Sequence, residues 1–309
     1  MDPRRLPPEL GPRFSVRQAL ELGVTPGLLR SRRLDRPFHG VRSRLETGAG
    51  EHLDAVLAYA TRMSPYAFIS HRSAAVVWGL PLPGPLAALR PVDVSVMFPR
   101  RAPEGRGVRG HSVRGSGVHV WDHPQFGVRV SSPASTWVQL AGDLTHPYDL
   151  VAVGDALVRQ PQHPNDPGAL ATVDQLGRAL SAGRRVKAED LRRALPRIHN
   201  GASSRPETWT RLLVVDAGLP EPTPAFEIAD DAGDFVARVD LAFEAERLAL
   251  EYEGEHHLTS PAQWRRDIER IERLADLGWR VIRVTADDVF RHPDAFVRRV
   301  RRALDERRL

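Results

Sequence analysis

Two neighbouring stretches decide the fold of the C-terminal part of this 309-residue chain: Phe235-Val-Ala-Arg-Val-Asp-Leu-Ala-Phe243 and Arg247-Leu-Ala-Leu-Glu-Tyr-Glu253. Apolar and polar side chains alternate along both, which is typical of strands because successive residues point to opposite faces of a sheet. In each stretch one face is apolar and the other carries acids, among them Asp240 and Glu251. The sequence therefore predicts two strands that share an acidic face.

The turn between these strands determines whether the acids meet. A two-residue turn at Ala245-Glu246 pairs residues whose numbers sum to 491, so that Asp240 lies opposite Glu251. By the same register, Arg238 lies opposite Glu253. Directly opposed side chains share a face with their Cβ atoms about 5 Å apart, so two carboxylates converge. A three-residue loop would instead place Asp240 and Glu251 on opposite faces.

Converging carboxylates repel each other unless a cation neutralises them, and Mg²⁺ prefers oxygen ligands. We therefore predict a site for Mg²⁺, or for Mn²⁺ in its place, held by Asp240 and Glu251. The alternative is that these acids face solvent on an exposed sheet. His256 and His257 follow the second strand and add two imidazoles at its end.

Positive charge in this chain comes almost entirely from arginine, since 43 of the 44 basic residues are arginines and Lys187 is the one lysine. The net charge of +5 is unevenly divided: residues 1–202 carry +10 and residues 203–309 carry −5. A basic segment attracts a polyanion, whereas an acidic segment repels one unless a cation intervenes. This division favours DNA as a partner of the front half, although solvated arginines alone would also explain it.

Several classes of protein are excluded by composition. Cysteine is absent, which rules out disulfides, thiolate nucleophiles and cysteine-ligated zinc. The N-terminal residues show no apolar signal-peptide core, and the chain has no apolar run long enough to span a membrane. We therefore expect a cytoplasmic protein that does not enter the membrane.

Residues 13–45 have the pattern of a helix-turn-helix. The capping box Ser15-Val-Arg-Gln18 begins a short helix that Gly23 ends, and Thr25-Pro26 begins a second helix expected to reach Leu34. Residues 36–42 have the size and charge of a β-wing. An ordinary helical hairpin with a basic face fits the pattern equally well. In the DNA-binding interpretation, these side chains contact phosphates: Arg30, Arg32, Arg33, Arg36 and Arg42.

The middle of the chain shows no catalytic constellation. Its hydrophobic periodicity predicts helices over 51–61, 70–78, 133–140 and 148–158, a strand over 92–98, and short strands near 118 and 128. The segment from 100 to 117 is rich in glycine and arginine and is interpreted as loops. The following residues lack a tight pattern of acidic partners and are interpreted as surface or core histidines: His71, His111, His119 and His123.

Residues 13–160 resemble the AbiEi family of type IV antitoxins. The motifs that carry the resemblance are Gln18-Ala-Leu-Glu-Leu-Gly-Val24, His39-Gly-Val41, Ser70-His-Arg-Ser-Ala-Ala75, Trp78-Gly-Leu80 and Gly127-Val-Arg-Val-Ser-Ser-Pro133. The resemblance implies a winged helix-turn-helix domain over residues 1–45 that binds DNA, followed by an AbiEi-like α+β domain over residues 46–200.

Around the two acidic strands, the sequence predicts a set of helices and one more strand. Ser204 caps a helix in which Glu207 is fully explained as the capping partner. After Pro261 comes an amphipathic helix that Gly278 closes, then a strand over 279–285 and a last helix over 293–307. The stripe of the amphipathic helix expected to face the sheet is formed by Trp264, Ile268, Ile271 and Ala275.

This C-terminal order looks like the Vsr-like endonucleases, a branch of the PD-(D/E)xK superfamily. The motifs that carry the resemblance are Arg238-Val-Asp240, Leu250-Glu-Tyr-Glu-Gly254, His257, Arg266-Asp267 and Gly278-Trp-Arg-Val-Ile-Arg-Val284. It implies a restriction-endonuclease-like α/β/α sandwich with a mixed sheet over residues 201–309, and a metal-dependent phosphodiesterase. Asp240 matches the principal metal-binding aspartate, Glu251 the second acid, and Glu207 an assisting acid on the first helix.

One position departs from the wider superfamily. Glu253 stands where the superfamily has a lysine, and Lys187 lies outside this segment. Vsr-like proteins also lack that lysine, so the resemblance implies that His256 or His257 activates water or protonates the leaving group. It also implies that Arg266 or Arg270 binds phosphate, and it leaves open whether Glu253 is catalytic.

The sequence as a whole predicts a multi-domain α/β protein that acts as a Mg²⁺-dependent DNA endonuclease, with the basic N-terminal region positioning the DNA. The alternative is a non-catalytic, antitoxin-like transcriptional regulator with a degenerate nuclease domain. A homodimer and a cognate toxin are further partners that the sequence leaves open.

Overall fold

The computed structural model describes residues 6–44, 51–88, 91–114, 117–161, 166–202, 204–254 and 261–308, with the backbone alone for residues 261–264. These residues form a multi-domain α/β protein with sheets of three, five and four strands. The chain divides into two compact units: unit 1 contains residues 1–145 and 171–195, and unit 2 contains residues 146–170 and 196–309. The three-domain division stays a prediction, and unit 2 includes residues that lie before the predicted start of the C-terminal domain.

The N-terminal part of unit 1 combines two short helices with a three-stranded sheet. Its elements are β1 (Arg13–Ser15), α1 (Val16–Glu21), α2 (Pro26–Leu29), β2 (Leu34–Asp35) and β3 (Val41–Arg44), with strand order β1-β3-β2. Ser15 Oγ accepts a hydrogen bond from the Gln18 N–H at 3.1 Å, which confirms the predicted start of α1.

The second helix is shorter than predicted. It ends at Leu29, and Leu34 lies in strand β2 opposite Arg44. The Ser31 side chain accepts a hydrogen bond from the Arg33 N–H at 3.2 Å. This local bond competes with helical hydrogen bonding, and Leu34 is buried as a strand residue instead.

After the N-terminal part, residues 51–140 of unit 1 form a five-stranded sheet with helices. Its elements are α3 (Glu51–Ala60), β4 (Ala67–Ile69), α4 (His71–Val77), α5 (Gly84–Ala88), β5 (Val92–Met97), β6 (Val108–Val113), β7 (Val120–Asp122), β8 (Arg129–Ser131) and α6 (Pro133–Leu140). The strand order is β6-β5-β4-β8-β7. The helices predicted over 51–61, 70–78 and 133–140 are confirmed as α3, α4 and α6, and the strand beginning at Val92 is confirmed as β5. The strands β4 and β6 were not predicted. The fourth predicted helix, over 148–158, is also present and is described below.

Strand β6 lies in the segment that the sequence suggested was loop. It pairs in parallel with β5 over its whole length. Gly110 is required there, because a Cβ atom at that position would lie 1.8 Å from the Pro103 carbonyl oxygen. The glycine that indicated a loop is therefore a point of close backbone approach within a strand.

The helices that follow alternate between the two units. They are α7 (Pro147–Val158), α8 (Val173–Ser181), α9 (Ala188–Ala194) and α10 (Arg205–Asp216). In unit 2, α7 is joined to α10 by polar contacts: Arg211 lies 3.1 Å from Asp155 with both side chains buried, and the Trp209 indole donates to Asp149 at 2.7 Å. These contacts explain why α7 belongs with the C-terminal residues.

Unit 2 is built on a mixed four-stranded sheet. The remaining elements are β9 (Thr223–Ala229), β10 (Phe235–Phe243), β11 (Leu248–Tyr252), α11 (Pro261–Asp276), β12 (Arg280–Val284), α12 (Ala286–Phe290) and α13 (Pro293–Arg308), with strand order β12-β11-β10-β9. Leu241 pairs with Leu250 and Phe243 with Leu248, so the predicted register is confirmed. The Arg247 N–H donates to the Glu244 carbonyl at 3.1 Å and closes the two-residue turn.

Helices cover both faces of this sheet. Leu274 of α11 packs in one apolar cluster with Ala242 and Ala249. Phe296 of α13 packs in another cluster, which contains the adjacent strand residue Leu241. Because adjacent strand residues point to opposite faces, α11 and α13 lie on opposite sides of the sheet. The α/β/α layering predicted for this region is therefore present.

The predicted apolar stripe of α11 is partly wrong. Ile268 is 36% exposed and Ala275 is exposed, whereas Leu274 is fully buried and Arg270 is partly buried. The inward face is fixed by Leu274 and by an ion pair of Arg270 with the sheet rather than by Ile268. Within the described residues, no helix has both the length and the apolar character needed to cross a bilayer.

Candidate functional site

The two central acids lie on adjacent strands, on the face that α11 covers. Asp240 and Glu251 are the next residues in the register set by the Leu241–Leu250 pair. Glu251 is only 9% exposed and Asp240 is partly buried, so the alternative of solvent-facing acids is wrong for Glu251. Asp240 Oδ2 accepts a hydrogen bond from the Tyr252 N–H at 2.8 Å, which fixes the carboxylate against β11.

The electrostatics of Asp240 show a local excess of negative charge. Burial raises the pKa of Asp240 and the charge of Glu207 raises it further. The hydrogen bond from Tyr252 lowers this pKa, Glu251 raises it again and Arg270 lowers it, with a result of about 7. A carboxyl group in this state is one that a bound cation would stabilise in its charged form.

Glu207 has two roles in the geometry. The Ser204 side chain accepts from the Glu207 N–H at 3.4 Å and donates to Glu207 Oε1 at 2.8 Å, which confirms the predicted helix cap. The Glu207 side chain is also buried, and its charge acts on Asp240. Glu207 therefore takes part in the cap of the helix α10 and also adds negative charge near Asp240.

Arg270 is the cation closest to the acids among the predicted phosphate ligands. Its guanidinium forms a fork on Glu251, with Nη1 on Oε1 and Nη2 2.8 Å from Oε2. Arg266, the other candidate, is exposed one turn earlier on α11. The fork neutralises Glu251 and places a planar cation beside Asp240.

Glu253 has a partner that the sequence did not predict. Arg283 of β12 lies 3.1 Å from Glu253 Oε1. The predicted register, which places Arg238 opposite Glu253, agrees with the observed pairs of β10 and β11. The side chain of Arg238 forms an ion pair with Glu227, its direct neighbour on β9, a strand that the sequence did not predict. In the parallel register of β11 and β12, Arg283 lies beside Glu251. The alternating pattern of β12 was the sequence feature that could have indicated this arginine.

Asp240 and Glu251 supply the carboxylate oxygens that a hard divalent cation prefers, and both oxygens of Glu251 are paired with Arg270 in this structure. Among the described residues, no group of three or more acids and histidines is placed to hold a metal ion. Mg²⁺ is commonly bound through one or two carboxylates and keeps several waters, which matches the convergence of Asp240 and Glu251. The predicted catalytic histidines, His256 and His257, lie outside the described residues.

The predicted DNA-binding arginines fall into two groups. Four are exposed: Arg30, Arg32, Arg33 and Arg36. Arg42 is partly buried, and its Nε donates to the Leu29 carbonyl at 2.6 Å, which joins β3 to the end of α2. Burial lowers the pKa of Arg42, and the nearby charge of Arg36 lowers it further.

Comparison with known proteins places the C-terminal segment in a broad class. Residues 224–304 match the family model REase_MTES_1575, a restriction-endonuclease-like family. This range contains both central acids as well as Arg270 and Arg283. The match confirms the restriction-endonuclease-like part of the sequence-based expectation, while the AbiEi-like resemblance of the N-terminal region stays a prediction.

Two relatives extend the comparison beyond that segment. The chain is 34% identical over 200 residues to the uncharacterized protein MT2308 of Mycobacterium tuberculosis strain CDC 1551 / Oshkosh, covering 62% of this chain and 70% of the relative. The same values hold for the uncharacterized protein Rv2248 of strain ATCC 25618 / H37Rv. No solved structure matches the chain. The chain therefore belongs to the family of these two mycobacterial proteins.

Proposed function

We propose that this member of the MT2308 family is a metal-dependent DNA endonuclease that hydrolyses phosphodiester bonds. The observation that carries the proposal is the convergence of Asp240 and Glu251 on adjacent strands, inside the segment that matches a restriction-endonuclease-like family. Converging buried acids with a neighbouring guanidinium suit a site that binds a cation and a phosphate together.

Asp240 and Glu251 would hold Mg²⁺ or Mn²⁺, which supplies positive charge to the scissile phosphate and acidifies a water molecule. The Tyr252 N–H holds the Asp240 carboxylate in place. Arg270 has the fork geometry that matches phosphate oxygens, and we assign it to phosphate binding when DNA is present.

The remaining predicted residues complete this hypothesis. His256 or His257 activates water or protonates the leaving oxygen. Glu207 and Glu253 are assisting acids, with Glu253 held by Arg283. In unit 1, the exposed residues Arg30, Arg32, Arg33 and Arg36 bind the DNA backbone as the arginines of a winged helix, supported by the short hairpin of β2 and β3 after α2.

The test is plasmid cleavage with a conservative variant. Asp240→Asn keeps the shape of the side chain and an oxygen for the Tyr252 N–H, but removes the charge that binds the cation. We expect the parent protein to nick or linearise supercoiled plasmid in Mg²⁺ or Mn²⁺, and the variant to be slower by about 100-fold or more.

A matched control is Glu272→Gln, which removes an acid that is exposed on α11. It should cleave at the parental rate. Equal activity of the parent and Asp240→Asn would contradict the proposal, as would inactivity of the parent on single-stranded, double-stranded and mismatched DNA in both metals.

A second candidate function is a non-catalytic DNA-binding regulator. It is favoured by the Arg270 fork, which gives Glu251 a counterion within the protein itself. A regulator of this kind would bind DNA without needing Mg²⁺, and it would release no cleaved product in its presence.

A further inference from the structure

Unit 1 contains a cleft that the proposed nuclease function does not use. Its volume is about 870 Å³, which lies within the range of about 300–1,000 Å³ typical of small-molecule sites. The lining comes from α4, α6, the end of β6, Val118 before β7, and the segment between α8 and α9. We call it the basic cleft and define it by His71, Val113, Arg114, Val118, Val138, Gln139, Arg184, Arg185, Val186 and Lys187.

The lining is strongly positive. It contains four basic side chains, Arg114, Arg184, Arg185 and Lys187, and no acid. Two of them are held in place by neutral groups: Arg185 donates to the carbonyl oxygens of Ala179 and Gly117, and Lys187 Nζ donates to a carbonyl oxygen at 2.8 Å. None of the ion pairs formed by the described residues involves these four side chains.

The neighbouring arginines are treated differently. Arg72 lies 3.1 Å from the buried Asp93, and Arg109 lies 2.7 Å from Asp143 and also pairs with Asp93. The arginines beside the cleft are therefore paired with acids, whereas the basic side chains that line the cleft form no ion pair among the described residues. Uncompensated cations gathered around a cavity indicate an anionic occupant.

The floor of the cleft supplies a spare hydrogen-bond donor. Gln139 Oε1 accepts from the His71 N–H at 3.3 Å, while Gln139 Nε2 is buried and has no hydrogen-bond partner among the described residues. A buried donor without an acceptor destabilises the folded state, so a ligand oxygen that accepted from it would remove this cost. A rotation about the broad terminal torsion of glutamine would aim this donor at an oxygen of a ligand in the cleft.

His71 adds backbone strain at the same floor. Its φ of 50° lies in the left-handed region, which residues other than glycine rarely adopt. The ring stacks on His111 with centroids 3.9 Å apart, and Nδ1 lies 3.0 Å from Ser70 Oγ. Strain of this kind clusters at ligand sites, where the surrounding structure holds it in place.

We propose that the basic cleft binds the terminal phosphate of a nucleotide, with Arg114 and Arg184 holding the phosphate oxygens, Gln139 donating a hydrogen bond, and the four valines of the lining contacting the organic part. Arginine is suited to this role because its planar fork pairs with two phosphate oxygens at once. The shared chemistry is a terminal phosphate group carried by a nucleotide, which either a free nucleotide or the phosphorylated end of a DNA strand supplies.

The test is equilibrium binding to the full chain in buffer free of divalent cations, so that the candidate metal site does not contribute. The probes are ATP, adenosine, inorganic phosphate, and short oligonucleotides with a 5′-phosphate or a 5′-hydroxyl. We expect the phosphorylated probes to bind at least tenfold more tightly than adenosine or the 5′-hydroxyl strand. ATP binding more tightly than the phosphorylated strand identifies a free nucleotide as the ligand, and the reverse identifies a strand end.

The variant Arg114→Gln/Arg184→Gln should weaken binding of the phosphorylated probes at least tenfold. Both residues are exposed, so neither change removes a buried contact, and either single variant serves if the double variant misfolds. The matched control is Arg178→Gln, an exposed arginine on α8 outside the cleft. Parental affinity in the double variant, no binding of any phosphorylated probe at about 1 mM, or inorganic phosphate binding as tightly as ATP would overturn the proposal.

Discussion

At the scale of single residues, the molecule uses one device repeatedly: a buried acid is surrounded by arginines. Asp93 is the clearest case. Burial opposes its ionisation, but hydrogen bonds from His111 and Arg109 and the charges of Arg109 and Arg72 outweigh that effect and lower its pKa. Asp240 differs, since burial and then the charge of Glu207 raise its pKa, to about 7. The contrast marks Asp240 as the acid whose charge the protein itself does not balance.

His71 gives a prediction about pH. Burial lowers its pKa to about 3, and the groups that also act on it are His111, Asp93, Arg109 and Arg72. The unfolded chain takes up this proton near pH 6.5, whereas the folded chain does so only near pH 3. The unfolded state therefore binds more protons between these values, and the stability of unit 1 falls as the pH drops below about 6.5.

His71→Asn should remove this dependence, because asparagine does not titrate and tolerates a positive φ. Between pH 7 and pH 5, we expect the parent to lose up to about 2 kcal/mol more unfolding free energy than the variant. Hydrogen exchange of the β4 and β5 amides measures it. The exposed His119 serves as control through His119→Asn, which should keep the parental slope. Identical slopes for His71→Asn and the parent would contradict the assignment. Asp93 does not interfere in this range, since its stabilisation is lost only below about pH 4.

At the scale of elements, α11 carries the clearest stability prediction. Leu274 is 0% exposed and packs against the sheet, whereas Ile268 on the same helix is 36% exposed. We expect Leu274→Ala to lower the unfolding free energy of unit 2 by about 2–5 kcal/mol through a cavity, and Ile268→Ala to lower it by less than about 1 kcal/mol. Chemical denaturation of the two variants measures the difference. Similar losses for both would show that the inward face of α11 is the one predicted from the sequence.

The elements of unit 2 and the strand β6 of unit 1 show which features of the fold could be predicted from the sequence and which could not. Alternation predicted the strands β10 and β11, and the assumption of a two-residue turn between them predicted their register, in which Leu241 pairs with Leu250. The inward face of α11 was not predictable in this way, because a long-range ion pair of Arg270 helps to set it. Strand β6 was also missed, because Gly110 was interpreted as a loop residue. Its close approach to the backbone of Pro103 is a tertiary contact that the sequence pattern does not indicate.

In the candidate site, too, the residues placed by local patterns were predicted and the residue placed by long-range pairing was not. The pair of Asp240 and Glu251 came from period-two patterning and turn length, which are local. Arg283 was missed because its position beside Glu251 depends on a parallel pairing between strands separated by a whole helix. Contacts of that kind are set by tertiary packing, so single-sequence patterns give little information about them.

At the scale of the whole molecule, the charge division now has a structural meaning on both sides. In unit 1, four of the predicted DNA-binding arginines of the N-terminal part are exposed and three other arginines are gathered around the basic cleft, where the one lysine, Lys187, also lies. In unit 2, the acids converge in the sheet at Asp240. The proposed function thus assigns DNA binding to unit 1 and cleavage to unit 2, two activities that variants should separate.

The last prediction tests this separation. Arg32→Ala/Arg33→Ala removes two exposed cations, so we expect weaker DNA binding and a slope of log K against log salt that is smaller by about 2, or about 1 for each lost phosphate contact. Arg101→Ala/Arg178→Ala removes the same charge from exposed positions elsewhere in unit 1 and should leave the slope unchanged. Asp240→Asn should bind DNA with the parental slope and fail to cut it, since the proposed function assigns its carboxylate to the cation and not to a phosphate. A parental slope in Arg32→Ala/Arg33→Ala would remove the N-terminal arginines from the DNA interface and leave overall charge as the source of affinity.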